Sequence, residues 1–388
     1  MTTHAKAPAV DFSHTSTKLS RIREILSEEY CRQHAFPWIV AYSGGKDSTL
    51  LLQLVFDALA ETPAELRKRQ VHVVGNDTGV ESPLVISHLH KSIGVIQKAI
   101  GKMDLPMTTT ITKPCIDQTF WVNVIGRGYI PPTRSFRWCT DRMKIAPTNK
   151  VIRQVTAKQG KSILLVGTRK SESASRRRRM ENYAKRGRRM NAHNQVDGCR
   201  IFSPLADLTD NEVWAILLQS RPPWGGTHRN LITLYRNAQS GECPLVLSKA
   251  DAPACGSTSP RFGCWTCTVV AKDRSLAGLV DSGFDELEPL LDFRDWILAL
   301  REKDENRMPV RRDGSTKFRA DGSRVHGPFK MKVRRRILKR LKSLEKETGA
   351  TLISKSEKET IEDIWRRDEV HYATRDALVE AVGAAPAV

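Results

Sequence analysis

The sequence predicts a doubly wound α/β domain followed by a mainly helical C-terminal region. Short apolar runs of strand length alternate with longer segments whose apolar residues recur at helical spacing. This alternation is typical of a parallel sheet covered by helices on both faces. Polar stretches follow three of the runs, at "YSGG", "GND" and "VGTR". Because the carboxyl ends of parallel strands meet at one edge, these stretches are expected to share a crevice.

The elements follow from these patterns in chain order. Strands are predicted over residues 37–43, 71–77, 107–112, 162–168 and 199–205. Helices are predicted over about 18–33, 47–61, 83–103, 145–159 and 209–220. The last helix carries a capping box, with Thr209 as its N-cap and Glu212 three residues later.

Three regions are predicted along the chain. Residues 1–17 read as a disordered lead, residues 18–220 form the α/β domain, and residues 221–388 form a cysteine-bearing helical region. Within the last region, helical patterns cover about 273–302, 328–348 and 355–368. The Gly-rich, charged piece 313–328 is expected to be a loop.

Composition narrows the functional classes. The 388 residues include 63 Lys and Arg against 43 Asp and Glu, a formal net charge of +20, which favours an acidic partner such as nucleic acid. No apolar run approaches the ~18 residues that span a membrane, and the first residues lack the apolar core of a signal peptide. We therefore expect a cytoplasmic protein with no membrane partner. Thiols stay reduced there, so clustered cysteines indicate metal or redox chemistry.

The stretch "IVAYSGGKDSTLLLQLV" at 39–55 predicts a phosphate-binding loop. It lacks the Walker spacing of four residues before Gly-Lys-Ser/Thr. Its two glycines allow a tight turn, and the helix that follows supplies unpaired amides and the positive end of its dipole. The predicted anion site comprises Ser43, Gly44, Gly45, Lys46, Asp47 and Ser48.

The cysteines predict a metal site. "CGSTSPRFGCWTC" has the spacing C-x8-C-x2-C, and a C-x2-C pair lets two thiolates reach one metal from a turn. The candidate ligands are Cys255, Cys264 and Cys267, with Cys139 as the fourth and Cys243 as its competitor. Four thiolates suit both zinc and an iron–sulfur cluster, so the spacing leaves the metal open.

The loop resembles the SGGxDS motif of the PP-loop ATP pyrophosphatase superfamily. This resemblance implies that ATP, with Mg²⁺, is cleaved between its α and β phosphates and that AMP is transferred to an acceptor. The superfamily contacts adenosine at the end of the second strand, which corresponds here to Asp77. Asp77 is equally suited to cap the next helix. Gly167, in the strand-end stretch "VGTR", is a further predicted nucleotide-binding residue.

An Arg-x-Cys element with a later C-x2-C also resembles the adenylylsulfate reductase group. Cluster-bearing reductases bind [4Fe–4S] through an adjacent Cys-Cys pair and a C-x2-C. Here Trp138 precedes Cys139, so Cys255 has to supply the missing ligand. The reductases also carry a nucleophilic cysteine near their C-terminus, and no cysteine follows Cys267. That difference disfavours reductase activity.

A longer resemblance is to the DndC proteins of bacterial DNA phosphorothioation and their Ssp relatives, including SspD. It is carried over about residues 35–275 by "PWIVAYSGGKDST", "NDTGVESPLV", "FWVNVIGRGYIPPTRSFRWCTDRMKI", "VGTRKSESASR", "PWGG", "LYRNAQSGECP" and "CGSTSPRFGCWTCTVV". The resemblance implies ATP binding, a [4Fe–4S] cluster, and activation of a DNA backbone phosphate for sulfur insertion. It also implies a cysteine desulfurase partner and other phosphorothioation proteins.

Such chemistry needs fixed cations around spread negative charge. The catalytic residues predicted for the crevice are Lys46, Asp47, Lys144, Arg169 and Arg176. Residues 169–191 hold ten Lys or Arg and two Glu, a block that is expected to contact the DNA backbone, although a solvated surface is the usual interpretation. The basic helix 329–346 could face DNA or a protein.

Two other interpretations remain open at the level of sequence. The first is another PP-loop enzyme, either a reductase or a tRNA thiolase. The second is a DNA-binding sensor with a redox cluster and an idle nucleotide site, which the intact Lys46 and Asp47 disfavour. ATP turnover with pyrophosphate release separates the enzymes from the sensor.

Overall fold

A computed structural model describes residues 12–184, 189–238 and 262–383. Its main sheet has six strands: β1 Trp38–Ala41, β2 Val71–Asn76, β3 Met107–Thr112, β4 Ser162–Leu165, β5 Met190–Ala192 and β6 Cys199–Phe202. The strand order is β3-β2-β1-β4-β6-β5. All neighbouring pairs are parallel except β5 with β6, which is antiparallel at the edge. The predicted doubly wound α/β fold is confirmed. Strand β5 begins at the end of the basic block 169–191 and was not predicted.

Eleven helices are found in the described residues. They are α1 Phe12–Tyr30, α2 Lys46–Glu61, α3 Pro83–Lys102, α4 Ala146–Gln159, α5 Ala174–Ala184, α6 Asp210–Gln219, α7 Arg229–Asn237, α8 Arg274–Asp281, α9 Glu288–Arg301, α10 Met331–Thr348 and α11 Lys355–Gly383. The capping box of α6 is confirmed, because the Thr209 side chain accepts from the Glu212 amide and the Glu212 carboxylate accepts from the Thr209 amide. None of these helices combines the length and apolar character needed to cross a membrane.

The first helix begins earlier than predicted. Residues 12–17, predicted to be disordered, form the first turns of α1, and residues 1–11 lie outside the described part of the chain. Apolar side chains explain the helix, because Ile22 and Leu26 are buried in the main core and α1 packs against α2. Thr15 is also buried. Burial of one face stabilises a helix whose first turn has no strong sequence signal of its own.

Helix α2 lies at the centre of the main hydrophobic core. Its residues 50–52 and 54–56 are fully buried, and the strand residues Trp38 and Val40 belong to the same cluster. A helix buried on nearly all sides is held firmly on the sheet, because close-packed interiors resist displacement. The loop that precedes α2 therefore has a fixed position at the end of β1.

A second core combines the C-terminal helices with a segment inserted after β3. Trp121, Trp138 and Met143 from this segment pack with residues of α8, α9, α10 and α11. Two buried arginines reinforce the contact. Arg334 donates to the carbonyl of Gly126 (3.0 Å) and to Asp368 (2.7 Å), and both it and Arg294 are at most 1% exposed. This core therefore draws on residues from both sides of position 220. In the predicted loop 313–328, residues Lys317–Phe318 (β7) and Arg324–Val325 (β8) form a short hairpin.

Candidate nucleotide site and thiol cluster

A cleft of about 750 Å³ opens at the carboxyl end of the sheet. It lies where the strand order reverses, because the chain proceeds from β1 to β2 and β3 on one side and returns through β4 on the other. Such a switch point is the usual ligand site of open α/β sheets. Residues 41–48 after β1 and residues 166–169 after β4 line the cleft. The volume is in the range of small-molecule sites.

The loop after β1 is fixed by hydrogen bonds between its own residues. The Ser43 amide donates to the Ser48 hydroxyl (3.2 Å), and that hydroxyl donates to the Gly45 carbonyl (2.9 Å). The first backbone bond that closes on α2 runs from the Thr49 amide to the Gly45 carbonyl (2.9 Å). The amides of residues 46–48 consequently lack acceptors within the helix, and that of Lys46 donates to the Tyr235 hydroxyl (3.4 Å). Free amides at the start of a helix are the groups that bind anions.

Two glycines permit this geometry. Gly44 has φ of +75°, in the left-handed region that side chains rarely adopt. Gly167, at the end of β4, passes so close to α2 that a Cβ there would lie 2.9 Å from the Asp47 carbonyl carbon and oxygen. Gly167 therefore lets the second loop approach the phosphate loop.

Four charged side chains meet beneath the loop. Arg169 donates to Asp47 and to Asp210, each at 2.7 Å. Lys46 Nζ lies 3.1 Å from Asp210 and 3.3 Å from Asp47. Lys46 is only 6% exposed and Arg169 only 3%, so both cations are held in one position. Paired buried cations of this kind are costly to displace.

The network keeps Lys46 charged. Burial works against protonation, but the Tyr235 hydroxyl and the carboxylates of Asp47 and Asp210 outweigh it and raise the pKa of Lys46. The pKa of Arg169 is raised in the same way: burial opposes the charge, while Asp47 and Asp210 favour it. Both side chains therefore present positive charge to the cleft over the whole physiological pH range.

Asp210 and Tyr235 were missed at the level of sequence. Asp210 is the first residue of α6, directly after the N-cap that the sequence did identify. Tyr235, on α7, is buried with its hydroxyl 3.4 Å from the Lys46 amide, and its ring lies against Trp214 and Phe262. An acidic residue in the first turn after the last parallel strand was the available signal for Asp210. No sequence signal indicated Tyr235, apart from its place in "LYRNAQSGECP".

Lys144 connects the cleft to the cysteines. It lies in a π-helical stretch, Thr140–Ile145, and lines the cleft together with Glu81. Cys264 raises the pKa of Lys144 most, followed by Glu81, Cys139 and Cys267, with burial acting in the opposite direction. All three thiols thus lie close to one cation at the edge of the nucleotide cleft.

Three of the described thiols form a neighbouring group, which we call the thiol cluster: Cys139, Cys264 and Cys267. Cys264 and Cys267 share a turn in which the Cys267 amide donates to the Cys264 carbonyl (2.9 Å). Burial raises the pKa of Cys264 to about 12 and also raises that of Cys139. In the part of the chain that the structure describes, no three His, Cys, Asp or Glu side chains are arranged to hold a metal ion. Cys243 and Cys255 fall outside that part.

Two arginines of α9, the buried Arg294 and the half-buried Arg301, hold the turn of the thiol cluster. Arg294, on α9, donates to the carbonyls of Cys267 (2.9 Å), Val270 and Ala271 (2.7 Å). Arg301 donates to the carbonyls of Thr268 (2.9 Å) and Pro132 (2.7 Å). These bonds satisfy carbonyls that a turn leaves unpaired. They also join the cysteine turn to the segment that carries Cys139.

Two further predicted residues are not among those that line the cleft. Asp77 is buried at the end of β2, where it accepts from the Gly79 amide (2.9 Å) and lies 3.2 Å from Lys113 Nζ. The neighbouring Asn76 lines the cleft instead. Arg176, on α5, pairs with Glu172, and it is Glu172 that reaches the cleft. The roles of Asp77 and Arg176 stay predictions.

Fold and loop together define an α/β protein of the PP-loop type. The phosphoadenosine phosphosulfate reductase domain family matches residues 37–270, more than half of the sequence, and the chain belongs to this family. The matched range contains the loop, both sides of the cleft and the thiol cluster.

The individual proteins that resemble this chain share little sequence identity with it. An uncharacterised protein of Methanocaldococcus jannaschii is 27% identical over 188 residues, which are 48% of this chain and 32% of that protein. The chain thus spans about a third of the length of this curated relative.

Among solved structures, Candida glabrata FMN adenylyltransferase is 14% identical at a TM-score of 0.36, covering 60% of this chain and 65% of that one. A tRNA thiolase of Methanococcus maripaludis, solved with its [4Fe–4S] cluster, is 12% identical at 0.35, covering 76% and 84%. A Candida auris phosphoadenylyl-sulfate reductase is 13% identical at 0.30, covering 54% and 86%.

Proposed function

We propose that this protein uses ATP to activate a backbone phosphate of DNA, so that sulfur replaces a non-bridging oxygen. The observation that carries the proposal is one cleft lined both by the loop of residues 43–48 and by Lys144, which lies beside the thiol cluster. A nucleotide and a sulfur-handling site are thereby brought within reach of one acceptor.

The loop of residues 43–48 is suited to ATP. The amides at the start of α2 and the charge of Lys46 match the pyrophosphate of ATP. In sites of this kind Mg²⁺ is usually held by phosphates and one or two carboxylates. Four carboxylates of the described residues line the cleft. Glu81 and Glu172 do not pair with Lys46, whereas Asp47 and Asp210 lie beside it. Arg169 acts as a positioning residue, because it fixes both of them.

The reaction comprises two stages of displacement at phosphorus, followed by a reductive cleavage. A non-bridging oxygen of the DNA phosphate attacks the α-phosphorus of ATP, and pyrophosphate leaves. The terminal sulfur of a desulfurase persulfide then attacks the activated DNA phosphorus, and AMP departs with the oxygen. A thiol reductant finally cleaves the remaining S–S bond and leaves the phosphorothioate. Lys46 and Lys144 would stabilise the negative charge that develops in both stages.

The thiol cluster fits an iron–sulfur cluster in the type of its ligands. Cys139, Cys264 and Cys267 would hold three iron atoms, and a thiol from residues 239–261, Cys255 or Cys243, would complete the set. The bound group would supply a site for sulfur or electron transfer next to the cleft. Analysis of anaerobically purified protein for iron, zinc and acid-labile sulfide tests this assignment; zinc without sulfide would contradict it.

The decisive experiment follows ATP and DNA together. Protein, ATP, DNA and a cysteine desulfurase with cysteine should yield AMP, pyrophosphate and phosphorothioate dinucleotides detectable by mass spectrometry after nuclease digestion. We expect Lys46→Ala to lower ATP cleavage by ~10²-fold or more, as for the loss of one preorganised donor.

Lys170→Ala is the matched control. Lys170 is close to Arg169 in sequence, but it pairs with Asp207 (2.5 Å) and is not among the residues that line the cleft. ATP cleavage by this variant should stay within twofold of the unmodified protein. ADP and phosphate as products would contradict the proposed adenylylation. Sulfur found in tRNA but never in DNA would reassign the acceptor.

A further inference from the structure

A second concave site lies at the surface of the segment that carries Cys139. It has a volume of about 630 Å³, and its principal lining residues are Gln118, Phe136, Arg137, Trp138, Asp141 and Arg142. None of these side chains lines the nucleotide cleft. The proposed chemistry of the cleft therefore leaves this site without a role.

Phe136 is presented to solvent by a rigid turn. The Thr133 amide donates to the Phe136 carbonyl (3.2 Å), and the Phe136 amide donates to the Thr133 hydroxyl (3.0 Å). The Phe136 side chain is nevertheless 47% exposed. A turn closed by its own hydrogen bonds holds an aromatic ring in place at low entropic cost, which favours binding by stacking.

Aromatic rings continue beneath Phe136. Its ring centroid lies 6.4 Å from that of Tyr129, which is 5.8 Å from that of Trp138. The guanidinium carbon of Arg142 lies 5.3 Å from the Tyr129 ring centroid. These rings are tilted to one another, by 52° between Phe136 and Tyr129 and by 78° between Tyr129 and Trp138, so they form an apolar support for Phe136. The exposed ring of Phe136, with cations nearby, matches a flat aromatic ligand that carries negative charge.

The charges around the turn favour an anion. Arg134 and Arg137 flank Phe136 and are exposed, and no ion pair joins either of them to a carboxylate within the described ranges. Arg142 directs its guanidinium to the Gln118 side chain and the Tyr129 hydroxyl, both uncharged. Two exposed arginines thus flank Phe136 in the chain, and Arg142 lines the same site, where Asp141 is the one carboxylate among the described lining residues.

We propose that the turn formed by residues 133–137 is a stacking platform for an unpaired base of DNA. Phe136 stacks on the base, and Arg134 and Arg137 bind the adjoining phosphates. Cys139 follows three residues later, at most about 10 Å along the chain, so a base held here brings its strand towards the thiol cluster. The inference rests on the proposed function and adds that the substrate is single-stranded or locally unpaired.

The test compares a single-stranded oligonucleotide with its duplex by fluorescence anisotropy. Phe136→Ala should weaken single-strand binding by about 5- to 150-fold, the range for loss of one stacked base. Phe136→Trp should restore it, because the larger ring stacks equally well. Binding of the duplex should change less, since its bases are already stacked on each other. ATP binding should stay unchanged in both variants.

Phe318→Ala is the matched control. Phe318 is another exposed phenylalanine, 56% accessible, on the β7–β8 hairpin with Arg324 against its ring. Loss of single-strand binding in Phe318→Ala but not in Phe136→Ala would overturn the proposal. Tighter, Phe136-dependent binding of RNA of the same sequence would overturn the assignment to DNA. If the unmodified protein binds neither form of DNA, the proposed function itself fails; if it binds both and Phe136→Ala changes neither, only the platform fails.

Discussion

At the scale of single residues, tight backbone packing shapes the cleft as much as charge does. Gly167 shows this, because the space for a side chain at this position is taken by the backbone of Asp47. Close packing is therefore a steric reason for glycine at this position, while the role of Gly167 in nucleotide binding stays a prediction. Without a side chain, the loop after β4 can lie directly against the start of α2.

We expect Gly167→Ala to destabilise the protein by about 1–3 kcal/mol, the usual cost of an added methyl group in a packed site. ATP affinity should fall at the same time, because relief of the clash displaces the first turn of α2. Urea unfolding and nucleotide titration measure the two effects.

Gly94→Ala provides the control for this prediction. Gly94 lies within α3, and a Cβ added there would meet no atom within 4 Å. Alanine there should leave ATP affinity unchanged and raise stability by up to about 1 kcal/mol, because it reduces the entropy of the unfolded chain. Equal effects of the two substitutions would show that crowding at Gly167 is unimportant.

At the scale of elements, a buried histidine joins α7 to α2. His228 is the N-cap residue of α7, is 6% exposed, and its ring nitrogen lies 2.9 Å from the Gln53 side-chain oxygen. Burial lowers the pKa of His228 from 6.5 to about 4. Since Tyr235 lies on α7, this contact helps to fix the residue that adjoins Lys46.

The lowered pKa of His228 predicts a loss of stability in acid. Between pH 6.5 and about 4 the unfolded chain binds a proton that the folded chain does not, so stability is complete above pH 6.5 and falls as the pH drops through this window. The loss between pH 7 and pH 5 should be about 2 kcal/mol. Urea unfolding at both pH values should show a smaller loss in His228→Gln. An equal loss in the variant would assign the acid sensitivity to other groups.

At the scale of the whole molecule, the excess of positive charge is distributed over separate surfaces. Helix α5 exposes Arg177, Arg178 and Arg179, whereas Arg176 pairs with Glu172. Helix α10 exposes a second set, including Lys339, Lys342 and Lys346. The net charge of +20 alone does not distinguish these surfaces.

Replacement of Arg177, Arg178 and Arg179 by Gln should flatten the salt dependence of DNA binding. Each phosphate contact contributes a slope of about −0.7 to −0.9 in the logarithmic plot, because counterions are released. Binding constants measured at several salt concentrations give the slope. ATP binding should be unaffected, since the loop at residues 43–48 acts locally.

The corresponding triple variant of Lys339, Lys342 and Lys346 distinguishes the two surfaces. If only this variant flattens the slope, DNA runs along α10, and the arginines of α5 form a solvated surface. If neither does, the platform at residues 133–137 and its neighbours carry the phosphate contacts.

The sequence by itself determined the motif of the phosphate loop, the spacing of the cysteines and the order of most elements, although α5, α7, β5 and the β7–β8 hairpin were not predicted. These features are local: periodic burial sets helices and strands, and a contiguous motif sets the loop. The capping box of α6 and strand β3 were predicted with the bounds later observed.

Only the tertiary structure decided which distant residues meet. Asp210 reaches Arg169 and Lys46 because α6 packs against α2, and no local pattern encodes that contact. Likewise Trp121 and Met143 share a core with the C-terminal helices, which brings Cys139 to Cys264 across more than a hundred residues. Contacts of this kind depend on how the apolar faces of helices and sheets pack together. The sequence predicts which face of a helix is apolar, but not which other element packs against it.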